Sequence, residues 1–245
     1  MEATQKPLDA ENEAAELNSR YGHMSAETIV SLAVERFRNA GGIATVSSFG
    51  ADSAALLHMI ARIDSSLPVL FLDTGQHFAE TLEYRDRLAD DLGLAELHII
   101  HPLRHAIAKN DPEADLHRLD PDKCCQIRKV EPMARAVEPY AAWFTGRKRH
   151  QSSTRAQMPV FEAVGPRIRV NPLARWTTSD QAAYMRAHNL RQNPLVAFGY
   201  LSIGCFPCTT PVKPGDDERS GRWAGLTKTE CGIHLPGLES VSDAA

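Results

Sequence analysis

Residues 43–53 read Ile43-Ala44-Thr45-Val46-Ser47-Ser48-Phe49-Gly50-Ala51-Asp52-Ser53. A short apolar, β-branched run predicts a buried strand over 43–47, then a turn of small residues, then a helix over 54–62. Upstream, Ser25 is placed to cap a helix whose Ile29, Leu32, Ala33 and Phe37 share one face, and Gly41-Gly42 stops it. Downstream the alternation repeats. A strand over 68–72 ends in Asp73-Thr74-Gly75, a helix begins near Phe78, a strand spans 96–100, and a short strand over 142–145 leads into Gly146-Arg147-Lys148-Arg149. Strands alternating with helices predict an α/β domain with a mostly parallel sheet flanked by helices, its ligand at the carboxyl ends of the strands. The predicted division is a flexible N-terminal segment (1–22) forming a mobile or loosely docked helix, the α/β domain (23–204), and a C-terminal arm (205–245) rich in Pro, Gly and charge.

The 245 residues suffice for one well-buried α/β domain. A net charge of −4 supplies no global basic field, which argues against nucleic acid as partner, so an anionic ligand must meet a local basic pocket. No apolar run is long enough to span a bilayer, and residues 1–20 lack the apolar core of a signal peptide. These features predict a cytoplasmic protein whose thiols stay reduced, and leave a homo-oligomer open.

Three loops fall at strand ends. Ser47, Ser48 and Gly50 belong to a turn whose small residues let backbone N–H groups approach a phosphate or sulfate, with a helix N-terminus behind it. A capped strand-to-helix turn would look the same, and no Gly-Lys-Ser/Thr follows to make a Walker loop. Asp73-Thr74-Gly75 ends the next strand at the same edge and, taken alone, reads slightly more readily as a capped turn. The segment 145–155 carries Arg147, Lys148, Arg149 and Arg155, four cations in nine residues, and cations at the carboxyl end of a sheet commonly meet anions.

The five cysteines divide into an adjacent pair, Cys124-Cys125, a Cys-x-x-Cys pair, Cys205 and Cys208, and a lone Cys231 in Glu230-Cys231-Gly232-Ile233-His234. Four thiols paired two and two fit a [4Fe–4S] cluster or zinc. Neighbouring cysteines at the start of a predicted helix (126–137) diverge, which favours the separate iron corners of a cluster over one ion. Cys231 needs cationic neighbours to be a good nucleophile. Candidates are His234, Arg219 and Arg222, with Lys129 one helical turn after the cysteine pair.

From about residue 43 to 235 the chain resembles the iron–sulfur branch of the phosphoadenylyl/adenylyl-sulfate reductase family. The resemblance rests on the loop 47–53, Asp73-Thr74-Gly75 with Phe78 and Glu80-Thr81, and Lys123-Cys124-Cys125-Gln126-Ile127-Arg128-Lys129-Val130-Glu131-Pro132. It continues through Thr145-Gly146 with Arg149, Gln151, Ser152 and Arg155, then Gly204-Cys205 with Pro207-Cys208-Thr209, Arg219 with Gly221-Arg222-Trp223, and Glu230-Cys231-Gly232-Ile233-His234. Departures are Met133 and Ile233 in place of leucines, Thr210 where Arg is common, and a shortened stretch between Trp223 and Cys231.

The resemblance implies an adenine nucleotide α hydrolase-like fold and reduction of adenosine 5′-phosphosulfate to sulfite and AMP in sulfate assimilation. It implies substrate contacts from Ser47, Ser48, Gly50, Leu72, Asp73, Gly75, Gly146 and Arg155. Cys231 is the implied nucleophile, forming an S-sulfocysteine that thioredoxin or a similar dithiol resolves, with His234, Lys129, Arg219 and Arg222 in support. Cys124, Cys125, Cys205 and Cys208 are the implied [4Fe–4S] ligands. The rival readings are use of the 3′-phosphorylated nucleotide, alone or as well, an ATP pyrophosphatase (whose Ser-Gly-Gly-x-Asp-Ser loop Phe49 interrupts), and a zinc-stabilised binding module.

Overall fold

The computed structural model describes residues 10–226, 228 and 230–233. Its elements in chain order are α1 (Ala10–Tyr21), α2 (Ala26–Phe37), β1 (Ile43–Val46), α3 (Ser53–Asp64), β2 (Val69–Leu72), α4 (Ala79–Leu92), β3 (Leu97–Ile100), α5 (Arg104–Asn110), α6 (Leu116–Leu119), α7 (Pro121–Cys125), a π turn (Gln126–Val130), α8 (Glu131–Val137), β4 (Ala142–Thr145), β5 (Phe161–Val164), β6 (Arg167–Val170) and α9 (Thr178–Ala187). The six strands lie in the order β3-β2-β1-β4-β6-β5. All pairings are parallel except β5 with β6. The α/β class with a mostly parallel sheet therefore holds, and the β5–β6 hairpin is an addition.

The strands alternate side chains between two faces, as the period of two requires. Ile43, Ala142, Phe144, Ile168 and Val170 pack against α2 and α3. Val69 and Phe71 meet Tyr84 and Leu88 of α4 on the same side. Ala44, Leu70, Leu72 and Trp143 turn the other way, onto Met133 and Val137 of α8. Each large side chain so buried stabilises the fold by about 1.5–3 kcal/mol. Ser25 caps α2 as expected, its side chain accepting from the Thr28 N–H. After β1 the chain winds to one side, and with β4 it resumes on the other. That reversal opens a crevice at the carboxyl ends of β1 and β4, where open α/β sheets place ligands.

Two expectations need correction. Within the N-terminal segment a helix forms as expected, over Ala10–Tyr21, but it is docked rather than mobile. Ala10 and Ala14 join the core, and the Asn18 amide accepts from the Val160 and Phe161 N–H groups while donating to Phe161 O. The single helix predicted over 126–137 is a π turn followed by α8. Pro132 has no N–H for the Arg128 carbonyl and its ring crowds that position, so the Glu131 N–H reaches back to Gln126 O and the turn widens. Among the described residues no helix is long and apolar enough to cross a membrane.

Candidate active site

Residues 45–48 and 50–53 form the floor of a pocket in that crevice, joined by Leu72, Thr74, Gly146 and Arg147. Its walls bring in Lys129, Arg155, Arg219, Arg222, Glu230 and Cys231. The turn after β1 depends on Phe49, which takes a left-handed conformation (φ 48°) that non-glycine residues adopt at a cost. The surroundings hold it there. The ring is fully buried, edge-on to Phe71 at 5.7 Å. Its N–H donates to Ser47 Oγ (3.2 Å) and its carbonyl accepts from the Asn193 amide (3.0 Å). Lys148, with no exposed side-chain surface, ties the β4 loop to this turn through Asp52 at 2.8 Å.

Of the residues expected to bind substrate, Ser47, Ser48, Gly50, Leu72, Gly146 and Arg155 line the pocket, but Asp73 and Gly75 do not. Asp73 Oδ1 accepts from the Gly75 N–H at 2.9 Å, the capped-turn arrangement. Gly75 has φ +71°, a conformation that favours glycine. The turn serves to aim Thr74, whose carbonyl accepts from Arg128 (2.7 Å) and whose hydroxyl lies 3.3 Å from Cys205 Sγ. Arg128 is itself held by buried Asp111 at 2.6 Å.

The arm doubles back beside the pocket. Phe206 N–H donates to Gln76 O, Trp223 N–H to Cys208 O, and Thr210 N–H to Gly221 O. A Cβ at Gly204 would overlap the Arg222 guanidinium, so a larger residue there would push that side chain aside. That guanidinium lies 4.4 Å from the Trp223 ring centroid, and its Nε is buried with no hydrogen-bond partner among the described residues. A buried, unpaired charged donor lining a pocket invites an anion.

All five cysteines are free thiols, and only Cys208 is more than slightly exposed. Cys125, Cys208 and Cys231 gather round Trp223, while Cys124 and Cys205 couple to the same group electrostatically. Burial and the neighbouring Cys125 push Cys124 up to about 12, and burial pushes Cys125 up to about 11. Burial would also raise Cys205, but Lys129 and the Thr74 hydroxyl outweigh it and hold the thiol below its usual value. Lys129 shows the converse: burial would discharge it, yet Cys205 and Cys231 keep it above the ordinary lysine range. Among the described residues no three His, Cys, Asp or Glu side chains close round a single ion. An all-thiol donor set beside a buried lysine fits an anionic metal–thiolate group, an iron–sulfur cluster among them.

The π turn carries Lys129 into the pocket immediately after the cysteine pair. Cys231, from the arm, reaches the same pocket and is 9% exposed. His234 lies outside the described residues. Three ionic groups have no place in the sequence-based site. Glu230 is held by Arg155 and Arg219. Lys228 pairs with Asp122. Glu162 pairs with Arg147 and Arg169 in a network that includes Asn171. In that network, burial and Arg169 bring Arg147 down to about 10. Such partners lie 7 to 106 residues apart in the chain, at no regular spacing that a sequence pattern could signal.

A family profile for the phosphoadenosine phosphosulfate reductase domain matches residues 42–211. An adenosine 5′-phosphosulfate reductase of Chelativorans sp. (strain BNC1) is 75% identical over the full length of both chains. A phosphoadenosine 5′-phosphosulfate reductase of Gloeobacter violaceus is 41% identical, covering 89% of this chain and 92% of its own. The crystal structure of phosphoadenylyl-sulfate reductase from Candida auris in a phosphate complex superposes with a TM-score of 0.70 at 27% identity, covering 84% of this chain and all of that one. An NH3-dependent NAD synthetase from Campylobacter jejuni shares the fold at 17% identity and a TM-score of 0.51, covering 76% of this chain and 78% of that one. With its crevice, cations and thiols arranged as described, the chain belongs to the phosphoadenosine phosphosulfate and adenosine 5′-phosphosulfate reductase family.

Proposed function

We propose that this protein reduces adenosine 5′-phosphosulfate to sulfite and AMP in sulfate assimilation. What carries the reading is one pocket at the β1–β4 switch point that joins a cysteine, Cys231, to Lys129, Arg219 and Arg222. The 75%-identical relative of that name supports the choice of nucleotide. The adenosine lies along Leu72, Gly146 and the Ser47 turn, and the phosphosulfate faces the cations. The Cys231 thiolate attacks sulfur, the bond from sulfur to the bridging phosphate oxygen breaks, and AMP departs with that electron pair. Lys129, Arg219 and Arg222 stabilise the charge that develops on the leaving phosphate. The product on the enzyme is an S-sulfocysteine.

A reduced dithiol such as thioredoxin then attacks Cys231 Sγ and expels sulfite. Its second thiol resolves the mixed disulfide and regenerates Cys231. The dithiol supplies both electrons. Cys124, Cys125, Cys205 and Cys208 would hold a [4Fe–4S] cluster, whose chemistry when bound is that of a fixed anionic centre beside Lys129. A reducing compartment, the cytoplasm, suits these thiols.

The test is anaerobic incubation with adenosine 5′-phosphosulfate and no reductant, then peptide mass spectrometry. A single SO₃ adduct on the Cys231 peptide is expected; bound nucleotide with no adduct would refute the mechanism. The Gloeobacter relative's name supports a second reading, use of the 3′-phosphorylated nucleotide. Side-by-side turnover of the two nucleotides decides between them.

A further inference from the structure

We propose that Glu230 is a latch that positions Cys231, and that Arg155 acts through it rather than on the substrate. The proposal rests on the reading of Cys231 as nucleophile. Arg155 is 7% exposed and Glu230 8% exposed, so their pairing is shielded from water. Arg155 Nε donates to Glu230 Oε1 and Nη2 to Oε2, both at 2.9 Å, a bidentate pair. The remaining nitrogen, Nη1, donates to Gln151 Oε1 at 2.8 Å. Gln151 Oε1 also accepts from the Lys148 N–H, which anchors the fork to the backbone following β4. Arg219, from the arm, donates to Glu230 Oε2 at 3.1 Å. One carboxylate thus ties the arm to the sheet.

Cys231 is held on its other side as well. Gly232 has φ +90°, and a Cβ there would lie 2.9 Å from Val130 Cγ2 of the π turn, the residue after Lys129. Beyond it, Ile233 O accepts from Arg169. The cysteine therefore sits between an ionic latch and a close backbone passage beside Lys129. Each nitrogen of Arg155 donates to protein, which suits a positioning residue better than an anion receptor.

Two measurements on the cluster-loaded enzyme test this. Without nucleotide, Cys231 in the parent should alkylate slowly with iodoacetamide. In Glu230→Gln the rate should rise about tenfold, because a neutral amide weakens the charge-assisted pair. An unchanged rate overturns the latch. In single-turnover sulfonation, Glu230→Ala should slow adduct formation about tenfold or more while nucleotide affinity stays within about twofold, and Arg155→Ala with Glu230→Ala should be no slower than the slower single variant. Losses that multiply would mean that Arg155 contacts substrate independently, overturning the proposal. If Arg155→Ala does not fold, the alkylation result decides alone. A parent that never forms the adduct would refute the functional reading, while the alkylation difference would still report the latch.

Discussion

At the floor of the pocket, the turn after β1 is fixed by burial: Phe49 is sealed against Phe71, and Asn193 and Ser47 satisfy its backbone. The arm across from it is fixed by charge. Glu230 meets Arg155 and Arg219, Lys228 meets Asp122, and Arg222 lies over Trp223. Apolar burial holds one geometry and has no partner to exchange, whereas a carboxylate held by cations can be replaced there by another anion. Under the proposed function, the site would keep a nucleotide in register yet release Cys231 to a dithiol reductant, a task that calls for both kinds of attachment.

The sharpest way to break this comparison is to remove the chemistry from the arm alone. Cys231→Ser should cut sulfite formation to below about one ten-thousandth of the parent while nucleotide binding, measured by calorimetry, persists. Residual turnover would mean that another group attacks. Lys129→Ala should slow sulfonation by about a hundred- to a thousandfold with iron content unchanged; loss of iron would move Lys129 from chemistry to scaffolding. On the floor, Phe49→Gly relieves a left-handed backbone but empties a buried ring site. A net destabilisation of about 2–4 kcal/mol in chemical denaturation is expected, because the cavity outweighs the backbone relief. A stabilised variant would show that the strain dominates.

The smallest effect concerns pH. Burial would raise the Glu162 carboxyl, but hydrogen bonds and charge from Arg169 and Arg147 hold it below its usual range. Its contribution is then complete above the unfolded-state value and lost as pH falls through the lower folded value. Glu162→Gln should flatten the acid limb of a Tm–pH profile, and an unchanged slope would place that limb elsewhere.

The parallel strands were legible because β1, β2 and β4 are short apolar runs, with threonine their only polar residue, between turn residues. The β5–β6 hairpin was not, because Glu162, Arg167 and Arg169 break the apolar pattern; Glu162 finds its compensation across the fold in Arg169 and Arg147. The π turn escaped periodicity, which cannot register one extra residue, although Pro132 was a local clue. The pocket cations were recognisable by type and position. Their pairing was not, since Arg155 and Glu230 lie 75 residues apart and meet only once the arm has folded back.

Asn18 has a consequence beyond docking α1. β5 is the outer strand of the sheet, and an open outer strand is a template on which another chain can add itself. The amide of Asn18 takes up two N–H groups and a carbonyl at the start of that strand, so the first helix acts as a guard against unwanted self-assembly. A chain trimmed to begin after α1 would keep every residue of the pocket and should nonetheless aggregate, by light scattering, at concentrations where the intact protein stays dispersed.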